Sequence, residues 1–334
     1  MKNVLLMVIL VALLTGFWFS SGAQNGYDPK LLFNKEEITI VITDSGLGGL
    51  AVMDEVAKKM TTSRSFKKVN LIFVNALFDS STGYNALNGS ESKINIFSSV
   101  LTSINQNYHP DMILVACNTL SVLYKETPFV KKSKTPVFGI VEPGVDLIAE
   151  SLSRDTTSTV ILFGTETTIE EGSHRRALLS RHFDGKRIVV KACPQLQSYI
   201  EQNPKGEETG MLISAYLNEA LEQLAGTSGA VYLSLNCSHF GYSEDLWKSA
   251  FSETPFKFGA VLDPNHRMGD FLADPKYSNR YPETALSFKV VSKVELLNEK
   301  SMFNIFEVKS PGLAKALHNY QLLPGLFKVS SPPH

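Results

Sequence analysis

The chain has 334 residues, 43% of them hydrophobic, with 32 Lys and Arg against 33 Asp and Glu for a formal net charge of -1. Such a composition describes one large or two modest globular domains, and near-neutral charge without a basic stripe argues against a nucleic-acid partner. Its three cysteines, Cys117, Cys193 and Cys237, are too few and odd in number for a disulfide framework.

The amino terminus opens with the short basic segment Met1-Lys2-Asn3, continues through an uncharged apolar run over 4–19, and reaches the small residues Ser21-Gly22-Ala23. This is the three-part layout of a secretory signal peptide, with cleavage expected after Ala23. Residues 1–23 are therefore set apart from the fold, and the mature chain is expected to be exported to the periplasm without a stable membrane span. The competing reading, an uncleaved anchor, has an apolar run shorter than the roughly twenty residues that cross a bilayer.

From Glu37 onward, strand and helix patterns alternate. Residues 38–42 form a β-branched run ending at Thr43-Asp44-Ser45-Gly46-Leu47-Gly48-Gly49, after which Leu50, Val52, Met53, Val56 and Met60 recur at helical spacing. A second strand is predicted over 69–74, a polar loop over 79–89, a helix over 90–104, and a strand over 111–116 that runs into Cys117. Further strands are predicted over 136–141, ending at Glu142-Pro143-Gly144, over 159–163, ending at Gly164-Thr165, and over 188–192, ending at Cys193-Pro194. A long amphipathic helix over 207–224 precedes a strand that begins at Val231, stops at Asn236 and delivers Cys237-Ser238-His239, with a helical pattern over 243–251. A strand over 258–262 ends at Asp263-Pro264 before a helix over 267–272. Beyond Asp274 the pattern changes: 286–297 alternates like an edge strand, and 330–334 reads as disordered.

Alternation of this kind predicts an α/β protein with two pseudo-symmetric lobes, each a mostly parallel sheet flanked by helices, and an active site in the cleft between them. The expected division is 37–137 plus 258–275 for the first lobe, 138–257 for the second, and 276–334 as a C-terminal extension without an assigned role. Both Cys117 and Cys237 fall at the carboxyl end of a strand, where open α/β sheets bind ligands. A free Cys is ordinarily a small buried hydrophobe. Here each is followed by amide, hydroxyl or imidazole side chains that a core does not select. Only His239 stands near either thiol at metal-ligand spacing, so no metal is expected. The glycine-rich stretch 44–49 matches neither a dinucleotide fingerprint nor a phosphate-binding loop, so no phosphate cofactor is expected; its amides suit a substrate carboxylate.

Taken together, Asp44-Ser45-Gly46-x-Gly48-Gly49-Leu50, Ala116-Cys117-Asn118-Thr119, Glu142-Pro143-Gly144, Gly164-Thr165-x-x-Thr168, Ala192-Cys193-Pro194 and Cys237-Ser238-His239 resemble the motifs of glutamate racemases in order and approximate spacing. His239 is similar to that branch, since related aspartate racemases carry Glu there. The resemblance implies cofactor-independent racemisation of a free acidic amino acid by thiols on opposite faces of its Cα. By the same resemblance, Cys117 assisted by Asp44 deprotonates the D-isomer, Cys237 assisted by His239 deprotonates the L-isomer, and Glu201 is a third ionisable group. Ser45, Asn118, Thr119, Thr165, Thr168 and Ser238 would hold the substrate, with Tyr84 and Asn85 in the loop after the second strand. These hydroxyl and amide residues are also routine helix N-caps, a reading as good as the site for Ser45 and Thr168. The partner implied is a small molecule, and a homodimer is compatible with it.

Cys193 reads as structural, and His109 and His174, lacking partner patterns, as surface residues. Three features depart from the family: Gly83-Tyr84-Asn85 stands where glutamate racemases carry Pro-Tyr-Gly, which bears on specificity; the export signal is unexpected for enzymes feeding cell-wall synthesis; and the C-terminal extension is additional. An exported amino-acid binding or sensing protein with this fold and no turnover is the alternative.

Overall fold

A computed structural model describes residues 27–80, 83–224, 228–296 and 300–329; the expected signal peptide and the tail 330–334 lie outside the described residues. The described strands are β1 (Glu37–Asp44), β2 (Lys68–Asn75), β3 (Met112–Val115), β4 (Val137–Gly139), β5 (Thr159–Gly164), β6 (Ile188–Ala192), β7 (Val231–Asn236), β8 (Phe258–Leu262), β9 (Ala285–Ser292) and β10 (Gln321–Leu322). They form one sheet in the order β10-β9-β2-β1-β3-β4 and another in the order β6-β5-β7-β8. Every pairing among them is parallel.

The sequence explains why. β3 (Met-Ile-Leu-Val) and β5 (Thr-Val-Ile-Leu-Phe-Gly) are buried along their whole length, the unbroken apolar runs of strands covered by helices on both faces. Each sheet accordingly has a hydrophobic core on either side. Among the described residues no helix is long and apolar enough to cross a membrane.

Strand order positions the site. β1 leads to β2 on one side while β3 lies on its other side, and β5 stands in the same relation to β6 and β7. A crevice opens at the carboxyl ends where strand order reverses. Asp44 and Cys117 emerge at the β1/β3 reversal, Thr165 and Cys237 at the β5/β7 reversal.

Several boundaries differ from expectation. β8 pairs with β7, so 258–262 completes the second sheet, and the chain returns to the first lobe only beyond Leu262, where Met268 and Leu272 join that lobe's core. β4 stops at Gly139, and the helix Val141–Ser153 takes up Glu142-Pro143-Gly144 in its first turn, where Pro lacks no hydrogen bond. The strand expected at an edge, β9, lies between β2 and β10. It alternates because Ala285, Ser287 and Lys289 face solvent, whereas Val290 and Val291 are buried. The helices Lys300–Lys309 and Pro311–His318 send Met302, Phe306, Leu313 and Leu317 into the same core. The described part of 276–334 is thus an integral layer of the first lobe. His109 is exposed as expected, but His174 is buried, and burial pushes its imidazole down to about 4.

Candidate active site

Each lobe delivers its polar residues just past a strand's last buried position. Cys117 keeps extended backbone at the end of β3, and the single helical turn Asn118–Ser121 begins at the next residue. Thr165 caps the helix Glu166–Glu171, its hydroxyl accepting from the Thr168 amide at 3.4 Å. Cys237, Ser238 and His239 leave β7 in a tight turn. All of these ends meet around one cavity of about 920 Å³, whose lining includes both Cys117 and Cys237. The two thiols are only 5% and 6% exposed, so what accessibility they have is through this cavity.

The thiols keep different company. Cys117 Sγ lies 3.1 Å from Ser45 Oγ; burial and the nearby Asp44 carboxyl push this thiol up, against the Ser45 hydrogen bond. Asp44 is itself buried and pushed up by desolvation, although His239 and the Ser238 hydroxyl, which donates to Asp44 Oδ2 at 2.6 Å, oppose the shift. Cys237 Sγ lies 3.9 Å from His239 Nδ1. On the other side of that ring, His239 Nε2 pairs with Glu201 Oε2 at 3.3 Å, and Glu201 Oε1 accepts from the Leu47 amide at 3.1 Å. Burial works against charge on both members. The mutual attraction outweighs it, holding His239 well above its ordinary range and Glu201 below its own.

The glycines have a mechanical role. A Cβ at Gly48 would sit 2.4 Å from Ser238 Oγ and 2.6 Å from His239 Nδ1, and one at Gly49 would sit 2.8 Å from Asp44 Cβ. Bare backbone at Gly48 lets the first lobe's turn lie against the Cys237-Ser238-His239 turn of the second, and at Gly49 it lets the same turn pack on Asp44. One of its amides, that of Leu47, is taken by Glu201.

Of the residues singled out in the sequence, Asp44, Ser45, Tyr84, Asn85, Cys117, Asn118, Thr119, Thr165, Glu201, Cys237, Ser238 and His239 line the cavity. Thr168 does not; it is 1% exposed and backs Thr165, hydroxyl to hydroxyl at 3.0 Å. The Tyr84 hydroxyl is spent on the Ala76 carbonyl at 3.1 Å, so its contribution is to hold the loop. Thr119 and Thr165 bond across the lobes at 2.8 Å. Cys193 is fully buried in the second lobe's core, as expected of a structural Cys. Sequence reasoning missed Glu166, Gln195, Gln197 and Gln202 in the lining. The signal for them was the strand-end rule, which applies to β5 and β6 as much as to β3 and β7.

Six polar atoms of the lining residues lack a hydrogen-bond partner among the described residues: Asp44 Oδ1, both Oδ1 and Nδ2 of Asn118, Glu166 Oε2, Gln197 Oε1, and His239 Nε2, which keeps its ion pair with Glu201. Asn118 is 2% exposed. Buried polar atoms ordinarily find partners, so an amide open only to a cavity fits a group completed by a ligand.

Residues 47–253 match the family described as Asp/Glu/Hydantoin racemase. The chain is similar to the glutamate racemase of Sulfurihydrogenibium sp. (strain YO3AOP1), 33% identical over 213 residues that make up 64% of this chain and 75% of the relative. In fold it is similar to the glutamate racemase from Campylobacter jejuni subsp. jejuni, with a TM-score of 0.61 at 20% identity over 80% of this chain and 98% of the other. It is likewise similar to the Francisella tularensis enzyme solved in complex with D-glutamate, with a TM-score of 0.59 at 19% identity over 82% and 94% of the two chains.

Proposed function

Since the chain belongs to the Asp/Glu/hydantoin racemase family, as an isomerase of the amino-acid racemase type, we propose that it interconverts the enantiomers of glutamate or a close relative by a two-thiol, two-base mechanism. The observation that carries this reading is that Cys117 and Cys237, delivered by matching strand-order reversals of two lobes, line one cavity, one against the Ser45 hydroxyl with Asp44 nearby and the other against the His239 imidazole.

In this mechanism one thiolate removes the Cα proton from one face while the opposite thiol returns a proton to the other, both within hydrogen-bond reach. Asp44 and Ser45 serve the Cys117 side. His239, kept charged by Glu201, serves the Cys237 side, placed to donate a hydrogen bond to that thiolate and so to favour its ionised form. Unpartnered Asn118 is suited to the α-carboxylate, where negative charge accumulates as the proton leaves, and Asp44 Oδ1 to the ammonium. A binding protein without turnover would leave both thiol pairings without a purpose.

The test is Cα-hydrogen exchange in deuterated water, followed by NMR for each of the twenty amino acids. Exchange with glutamate or a near relative is expected, and Cys117→Ala and Cys237→Ala should each lower it by about a thousandfold or more, within the range of a lost general acid or base. Folded protein that exchanges none of the twenty would reject the assignment.

A further inference from the structure

The turn that carries Cys237 and His239 has one carbonyl answered from outside it. The Cys237 and His239 carbonyls accept from the amides of Phe240 and Tyr242, both at 3.0 Å. The Ser238 carbonyl instead accepts from the side-chain amide of Asn265, Nδ2, at 2.9 Å. Asn265 is 2% exposed and lies in the short helix Pro264–His266, on the stretch by which the chain returns from β8 to the first lobe. It stands behind the cavity wall rather than in it.

Asp263 aims this carboxamide. Its Oδ1 accepts from the Asn265 backbone amide at 2.9 Å, and its Oδ2 from the same Nδ2 at 3.4 Å. Burial pushes the Asp263 carboxyl up to about 6, against the attraction of His266, so above that pH it is an acceptor only. The two Nδ2 protons thus serve two acceptors, a carboxylate and a peptide carbonyl; an Asp at this position would present oxygen to both. The stretch is also fastened to the helix Leu50–Ser63, which follows the glycine turn: Lys59 donates to the His266 carbonyl at 2.7 Å, and the His266 ring lies 3.6 Å from Glu55. The glycine turn itself reaches the Ser238-His239 peptide, since a Cβ at Gly48 would come within 2.8 Å of the His239 amide nitrogen.

Ser238 bears on both thiols. Its hydroxyl donates to Asp44, whose carboxyl acts on Cys117, and its peptide bond leads into His239 beside Cys237. We propose that Asn265 is a positioning residue for both thiol devices: its carboxamide, oriented by Asp263, fixes the Ser238 peptide and so keeps the His239 ring on Cys237 and the Ser238 hydroxyl on Asp44. The proposal rests on the racemase reading above and adds to it a residue outside the cavity. A buried carbonyl deprived of its donor turns to find another, and a displacement of about 1 Å at a reacting group is enough to slow turnover severely.

Two measurements on Asn265→Ala, which removes the donor, and Asn265→Asp, which keeps the shape and reverses its polarity, test the proposal. In Cα-hydrogen exchange, kcat is expected to fall about tenfold or more in each, with KM changed by less than about threefold. In alkylation by iodoacetamide, followed by peptide mass spectrometry, the pH midpoint of Cys237 is expected to rise by about one unit as His239 ceases to favour the thiolate. Folded variants whose Cys237 midpoint stays in place overturn the proposal, even where kcat falls, since a merely structural loss does not move it. Should neither variant fold, Asp263→Asn, which disorients the carboxamide without removing it, decides by the same midpoint: a rise supports the proposal and an unmoved value overturns it. Native protein that exchanges no amino acid, together with raised midpoints in the variants, removes the racemase reading and keeps the assignment of Asn265. Exchange by the native protein with unmoved midpoints does the reverse.

Discussion

The two strand-end thiols are served by opposite devices on matching scaffolds. Beside Cys117 stand a hydroxyl and a carboxyl that burial drives toward its protonated form. Beside Cys237 stands an imidazole that a second carboxylate keeps charged against the same burial. Both reversals of strand order open onto the same crevice, so the difference lies in the side chains at and just past the strand ends and in Glu201, which is remote in sequence. A pseudo-symmetric fold can therefore give its two strand-end thiols unlike proton inventories, because environment sets protonation state.

The contrast breaks most sharply at Glu201. Glu201→Gln removes the charge that sustains the imidazolium, and kcat/KM is expected to fall about a hundredfold in both directions alike. The alkaline limb of its pH profile should move to lower pH, since His239 then faces burial without its main compensation. A limb that stays in place would mean His239 does not govern it. Stability gives a second readout, with the sign set by linkage. The raised His239 stabilises fully below its ordinary value of 6.5 and loses this as pH rises through its folded value. The lowered Glu201 stabilises fully above 4.5 and loses this as pH falls. The melting difference between native and Glu201→Gln protein should accordingly be greatest between those two pH values.

Two glycines sharpen the same comparison at the backbone. Gly48→Ala forces a methyl group into the Ser238-His239 turn, an overpacking expected to cost about 1–3 kcal/mol and visible as a lower Tm with impaired turnover. Gly83→Ala adds a methyl group that meets nothing within 4 Å, so its stability should stay within about 0.5 kcal/mol of native. Equal losses at the two positions would remove the interlock as the reason for glycine at 48. The smallest effect on turnover among the site residues is expected at Ser45→Ala, which deletes the 3.1 Å contact to Cys117. One such hydrogen bond, worth about 1 kcal/mol, corresponds to roughly a fivefold fall in kcat, and an unchanged kcat would mean Ser45 only shapes the turn.

Much of this architecture is legible in the residues because it is local. Strand ends, thiols and the polar residues beside them are adjacent in sequence, and β5, β6 and β7 lie within a residue or two of their expected bounds. The features that escape sequence reading depend on distant partners. Nothing around Gly48 announces Ser238 as its neighbour, and Thr168 becomes a backing residue rather than a lining one because of how Thr165 caps its helix. The Thr167 link to Asn85 and Lys93 spans two lobes, so nothing in the motif around Thr167 contains it. β9 reads as an edge strand because its alternating half faces solvent, while the strand that covers its far side, β10, is two residues long.

The pairing of β9 with β2 joins Asn75 to Ser292, 217 positions apart. During synthesis, Val69, Leu71 and Phe73 emerge long before the strand that will lie beside them, while β5 to β8 arise consecutively and can pair as they appear. Loop closure over such a span is slow relative to local pairing. The second lobe is thus built to mature early, and the first to wait with an open β2 edge that a holding chaperone could occupy.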